Sequence, residues 1–197
     1  LASDLTALSP ALVPFETAEL EIVKSLQGLS LKNVEATVSN GKKELYRDFG
    51  EMLFTHFGVS GPLMLSASSF CAKAIAKNLL KLSIDLKPAL TEEQLDERIL
   101  RDFAEAKNKQ FKNSLNHLYP AKLVPVIIER SGIDPDKQVN EITKEERRRL
   151  VETTKALTFT LTGLRPFKEA IITQGGVDVK GINPSTMEAK KAENLYF

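Results

Sequence analysis

The chain reads as an α+β protein, in which a β-barrel-like subdomain built from both chain ends carries an inserted helical bundle. Three observations predict this. Residues 91–155 hold 13 acidic and 13 basic side chains and a single glycine, Gly132, which is the composition of amphipathic helices. The flanks are rich in β-branched and small residues, and several of their segments alternate apolar and polar positions with the period of two that a strand requires. Neither flank alone holds enough strands to bury two sheet faces. The economical arrangement joins residues 1–86 and 157–190 into one β-rich subdomain and inserts residues 87–156 at Leu86-Lys87-Pro88-Ala89-Leu90.

The elements follow in chain order. Val34, Ala36 and Val38 alternate as a strand that stops at the turn dipeptide Asn40-Gly41. An apolar strand then runs through Met52, Leu53 and Phe54 into a loop broken by Gly58 and Gly61, and Pro62 suits the first position of a helix continuing through Leu63, Ala67, Phe70 and Cys71. Leu80, Leu82, Ile84 and Leu86 alternate with Lys81, Ser83 and Asp85. Thr91-Glu92-Glu93-Gln94 is a capping box, with Leu95, Ile99, Leu100 and Phe103 on one face beyond it. Residues 107–118 suit a further helix, with Phe111 and Leu115 four apart. Pro120 opens an apolar stretch ending at Ser131-Gly132, and Pro125 within it kinks the helix or shifts its start. Thr143-Lys144-Glu145-Glu146 repeats the capping box ahead of Leu150, Val151 and Thr154. Leu157, Phe159 and Leu161 alternate with threonines, and Phe167–Thr173 is a last strand stopped by Gly175-Gly176.

Composition excludes several classes. Lys+Arg number 27 against 26 Asp+Glu, so the net charge of +1 argues against nucleic acid as the main partner. One cysteine, Cys71, rules out an internal disulfide framework and any multi-cysteine metal site. No run of 18 apolar residues predicts a membrane span. His56 and His117 are the only histidines and lie too far apart for a local metal pair, so no metal is expected. The ten glycines form neither a Gly-x-Gly-x-x-Gly fingerprint nor a P-loop. Arg147-Arg148-Arg149, close to Glu145, Glu146 and Glu152, reads as a solvated helix face.

Chemistry concentrates in Gly50–Pro62. A strand that turns at Gly58 and Gly61 into a helix start places His56 and Ser60 beside backbone N–H groups able to receive negative charge. Two readings fit: a site wall with a proton-donating imidazole, or a structural turn that needs its glycines. Gly58-Val59-Ser60 also approaches a nucleophile elbow, but Pro62 stands where that pattern needs glycine. Thr173-Gln174-Gly175-Gly176-Val177 likewise fits either close approach to a planar ligand or a tight turn.

Taken together, Ser9–Pro14, Leu26–Val34, Gly50–Pro62, Thr173–Val177 and Asn183–Glu188 resemble the YhiN/BaiN-like flavoproteins, FAD-dependent oxidoreductases also called the aminoacetone oxidase family. The resemblance spans almost the whole chain in motif order. It implies a chain that is the insert of a Rossmann-type FAD domain, with the FAD fingerprint outside it, NAD(P)H as a possible reductant and a cytoplasmic setting. It implies partners in the protein's own FAD-binding domain and a small-molecule substrate. On that reading Thr55, Gly58, Ser60 and Gly61 line the flavin, Gly175 and Gly176 stand opposite, and His56 transfers a proton. The isolated piece is expected neither to hold FAD nor to turn over. The start at Leu1 and the apolar end Leu195-Tyr196-Phe197 fit such a piece, and residues 191–197 read as a tag remnant or a strand returning to the FAD domain. A stand-alone protein-interaction module, and a serine hydrolase using Ser60, are the alternatives.

Overall fold

The computed structural model describes residues 5–197, and the first four positions of the 1–86 segment lie outside the described residues. Its centre is a closed antiparallel barrel. In chain order the strands are β1 (Leu5–Ala11), β2 (Phe15–Thr17), β3 (Ser30–Asn40), β4 (Lys43–Phe54), β5 (Gly58–Ser60), β6 (Leu80–Asp85), β7 (Leu157–Leu164) and β8 (Ile172–Val177). The barrel order is β2-β5-β4-β3-β6-β7, closed by β2 against β7, while β1 and β8 pair in a separate two-stranded sheet. The fold is therefore α+β with a barrel. The β-barrel-like subdomain expected from both chain ends is a closed barrel, with β1 and β8 set apart as a small two-stranded sheet.

Alternation explains the barrel interior. Ala36, Val38, Leu80, Leu82, Ile84, Leu157, Phe159 and Leu161 all point inward and are buried. In register, Leu82 faces Phe159 and Ala36 faces Ile84. The rings of Phe54 and Phe159 meet at 5.5 Å between centroids. Each such side chain contributes roughly 1.5–3 kcal/mol when taken fully out of water. The helix α2 (Pro62–Ile75) packs on β4, with Leu63, Met64, Ala67 and Cys71 buried. Phe70 of that helix is exposed, its ring centroid 5.4 Å from that of Tyr46. A short helix, α1 (Leu20–Ser25), precedes β3.

The helical insert lies between β6 and β7. It comprises α3 (Glu92–Glu105), α4 (Val124–Ser131) and α5 (Lys144–Lys155). Both capping boxes form as read, at Thr91 and Thr143. Pro125 sits in the first turn of α4, so it shifts the helix start rather than kinking it. Three expectations are corrected. Residues 107–118 form no helix: only Phe111–Asn113 make a 3-10 turn, although Phe111 and Leu115 are fully buried. Leu100 leaves the apolar face of α3 and is exposed. Phe167–Thr173 is not a strand: Phe167–Glu169 form a 3-10 turn, and β8 starts at Ile172 and runs through both glycines.

The insert is fastened to the barrel by Lys155. Its ammonium pairs with Asp85 at 2.6 Å and donates to the carbonyls of Leu90 at 2.7 Å and Lys87 at 3.2 Å. Lys122 adds a bond to the carbonyl of Gln27 at 2.8 Å. No helix among the described residues is long and apolar enough to cross a membrane.

Candidate functional site

The turn between β4 and β5 is fixed by its own backbone and by glycine. The Thr55 N–H donates to the Gly58 carbonyl at 2.9 Å, and the Gly58 N–H donates to Thr55 Oγ1 at 3.1 Å. A Cβ on Gly58 would stand 2.2 Å from the Phe15 carbonyl oxygen, so only glycine lets β5 pair against β2. Gly61 has φ +89° and is the N-cap of α2. The structure thus brings Thr55, His56, Gly58, Ser60 and Gly61 together on one short turn.

His56 is exposed at the tip, with its ring edge-on to Phe57 at 4.9 Å. The Phe57 carbonyl accepts the Thr17 N–H at 3.2 Å, which pins the turn to β2. Over the Phe57 ring, 4.4 Å from its centroid, lies the guanidinium of Arg165. That guanidinium donates to both carboxylate oxygens of Glu169, at 3.0 and 2.7 Å, and to Glu16 at 2.8 Å. Its hydrogen bonds to Glu169 and Glu16 push the Arg165 pKa further above its ordinary value. The Arg165 hydrogen bonds in turn hold the Glu169 carboxyl below its usual value, with the charges of Arg165, Lys168 and His56 adding to the shift. An ionised carboxylate is therefore held near an exposed imidazole, beside a cation seated on an aromatic face.

This clamp was not legible in the sequence. Glu16 and Arg165 are 149 residues apart, and no local spacing announces them. A lone Arg165 after a strand, followed by Pro166, is the only trace they leave.

The remaining predicted residues fall elsewhere. Gly175 and Gly176 lie on β8, in the outer sheet, where Gly176 pairs with Thr6 of β1. A Cβ on Gly175 would meet the Ala7 carbonyl oxygen at 2.4 Å, so this glycine serves a close strand approach. Beside Gly176 a Cβ would meet nothing within 4 Å. Ser60 pairs in register with Leu53, and among the described residues no hydrogen bond joins it to His56, so the relay a serine hydrolase requires is not formed. Cys71 is buried, and burial pushes its thiol up to about 11, which leaves it unreactive near neutrality. Around the outer sheet, Leu5, Leu8, Phe167, Ile171, Ile172 and Val179 are all exposed, from 49% for Ile172 to 77% for Val179.

Comparison with known proteins gives a consistent result. The family model described as "HI0933-like protein barrel and H2TH domain" matches residues 9–172. The chain is 33% identical over 188 residues to a ribosomal RNA dihydrouridine synthase of Haemophilus influenzae, covering 95% of this chain and 43% of that protein. It is 29% identical to the ribosomal RNA dihydrouridine synthase of Escherichia coli, covering 94% and 44%. It is 25% identical to a 3-dehydro-bile acid delta(4,6)-reductase of Clostridium scindens, covering 98% and 47%. The chain thus spans less than half the length of each of these relatives.

Proposed function

We propose a function from one premise: the chain belongs to the HI0933-like barrel and H2TH domain family, the insert of the YhiN/BaiN-like flavoproteins. It acts as the substrate-side lid of an FAD-dependent oxidoreductase. The observation that carries this reading is the family match across both barrel and helical insert. The activities named for the relatives, dihydrouridine synthesis on ribosomal RNA and delta(4,6) reduction of a bile acid, share an act: two hydrogens added across a carbon–carbon double bond. We assign that substrate class, a carbon–carbon double bond activated by a neighbouring carbonyl.

The flavin, when bound, supplies the hydride, with NAD(P)H as its reductant. The residues of this chain fit one wall of such a site and not its dinucleotide arm. The turn carries an exposed imidazole, the open backbone at Gly176 leaves room for a planar group, and no Gly-rich phosphate loop is present. His56 delivers the proton that completes the addition, because its imidazole is exposed at the tip of the turn and carries a ring N–H that can be handed on. Arg165 and Glu169 keep the turn and its charge in place. The protein's own FAD-binding domain covers the exposed apolar residues of the outer sheet, a patch of the kind that marks an interface. The isolated chain neither retains FAD nor turns over.

The test is the full-length protein. It is expected to purify yellow, while this chain alone is colourless. Full-length His56→Ala should accept electrons from NAD(P)H at the parent rate and pass them to the unsaturated substrate roughly 10²–10⁴-fold more slowly. A colourless full-length protein would overturn the flavin reading. Unchanged half-reactions in the variant would remove His56.

A further inference from the structure

The seam between the barrel and the helical insert holds a cleft of about 160 Å³. Its floor is apolar: Leu31 and Val34 of β3, Leu86, and Leu118 and Leu123 of the insert are all buried. Lys32 and Lys87 are the charged residues that line it, and no acidic residue does. The hydroxyls in its lining are already spent, Ser30 on Glu51 at 2.5 Å and Tyr119 on Thr154 at 2.6 Å.

The fold places both lysines there. Leu31 pairs with Met52 and Val34 with Gly50, so Lys32 and Asn33 stand as a bulge opposite the single residue Glu51. Asn33 takes φ +57°, a left-handed value that asparagine tolerates better than most residues. Leu31 and Val34 therefore both stay inside, and Lys32 is turned out to the cleft. Lys87 follows the end of β6, where the chain leaves the barrel. Its N–H donates to Asp85 Oδ1 at 2.9 Å and its carbonyl accepts from Lys155 at 3.2 Å, so the side chain has a fixed root.

Neither lysine side chain has an ion-pair or hydrogen-bond partner among the described residues. Asp85, the acid nearest Lys87 in sequence, is taken by Lys155 at 2.6 Å. Lys87 is half-buried, and burial together with the Arg98 charge pulls its ammonium below the ordinary lysine value. A cation held partly out of water over an apolar floor, with no acid beside it, lacks a counter-ion.

We propose that this cleft binds a short-chain aliphatic carboxylate, whose tail lies on the apolar floor and whose carboxylate bridges Lys32 of the barrel and Lys87 at the root of the insert. A liquid water takes about 30 Å³, so the cleft holds about five or six heavy atoms, the size of propionate or butyrate. The floor comes from both subdomains, so an occupant ties them together, at the kind of junction where small ligands bind. The site lies apart from the His56 turn, and the inference does not rest on the flavin reading.

The probe is sodium butyrate, titrated into the 197-residue chain at constant ionic strength and followed by thermal unfolding. Butyrate at about 50 mM should raise the Tm saturably, by roughly 2–4 °C, as a ligand of millimolar affinity does. Butylammonium chloride has the same tail with the opposite charge, and sodium formate has the carboxylate without a tail; each should leave the Tm within about 1 °C. Lys87→Met should abolish the butyrate shift. Lys32→Met, an exposed change that does not threaten folding, should weaken butyrate at least about fivefold. Lys73→Met, on α2, should respond as the parent does. No saturable shift up to about 200 mM butyrate, an equal shift with butylammonium or formate, or a parent-like response in both Lys32→Met and Lys87→Met would overturn the proposal.

Discussion

Two positively charged stretches of the helical insert behave oppositely. On α5, Arg147 forks onto Asp96 of α3 at 2.5 and 3.2 Å, Arg148 pairs with Glu145 at 2.5 Å and also with Glu152, and Arg149 donates to the Ser131 carbonyl at 3.0 Å. In the connection from residue 106 to 123, Lys107 and Lys109 have no such partners among the described residues. A regular helix places carboxylates three and four residues from its cations and neutralises them. An irregular segment without acidic residues leaves its cations to whatever approaches. Total charge is blind to this difference.

The comparison breaks first if the irregular stretch proves to be a loose loop. Phe111 is fully buried and meets Phe103 edge-on at 6.2 Å. Phe111→Ala should therefore cost about 3–5 kcal/mol in urea unfolding, as for a core aromatic. A loss below about 1 kcal/mol would show that the lysines sit on a floppy segment with no fixed display.

The next effect tests the same anchor through pH. Tyr119 lies beneath the stretch, and its hydroxyl reaches Thr154 Oγ1 at 2.6 Å while Thr154 donates to the Leu150 carbonyl. Burial pushes the Tyr119 phenol up to about 12, with the Thr154 bond opposing the shift. The folded state thus favours the protonated phenol. Its stability is fully present below pH 10, the ordinary phenol value, and is lost as pH rises from there through about 12. The loss is on the order of 2–3 kcal/mol across that window. Burial of Cys71 acts in the same direction from pH 9 upward. Tyr119→Phe should cost about 1 kcal/mol near pH 7 through the lost hydrogen bond, and should flatten the upper part of the alkaline decline. A decline of unchanged slope in the variant would detach Tyr119 from it.

These anchors also mark where the sequence was legible. The capping boxes at Thr91 and Thr143 and the alternation of Leu80–Ile84 and Leu157–Leu161 were readable because their physics is local. Phe111 and Leu115 were not, because two buried residues four apart fit a helix and an irregular wrap equally. Ser114 Oγ donates to the Phe111 carbonyl at 2.7 Å, and Asn and Ser are residue types that disfavour a helix interior. Phe167–Thr173 failed as a strand because the segment starts with the Arg165–Glu169 fork and Pro166, which hold a tight turn. Closure of the barrel rests on β2, three residues long, too short to show a period. At the candidate site, the turn from Thr55 to Gly61 was visible from its glycines. The Arg165 clamp above it joins residues from opposite ends of the chain and left no pattern to find.

The smallest effect divides the arginine run itself, which the sequence presents as one solvated face. Arg147 is 13% exposed and forks between two helices, whereas Arg148 is 59% exposed and pairs along its own helix. Arg147→Gln should cost about 1–2 kcal/mol, since the bond is charge-assisted, two-pronged and screened from water. Arg148→Gln should cost at most about 0.5 kcal/mol. Raising NaCl from 50 to 500 mM should erase the Arg148 effect and leave most of the Arg147 effect, because the Debye length then falls well below the spacing of exposed charges while the half-buried fork stays shielded. If the two variants respond alike to urea and to salt, α5 is a uniformly solvated face after all. The contrast with the lysine stretch would then rest on ion pairs that contribute nothing measurable.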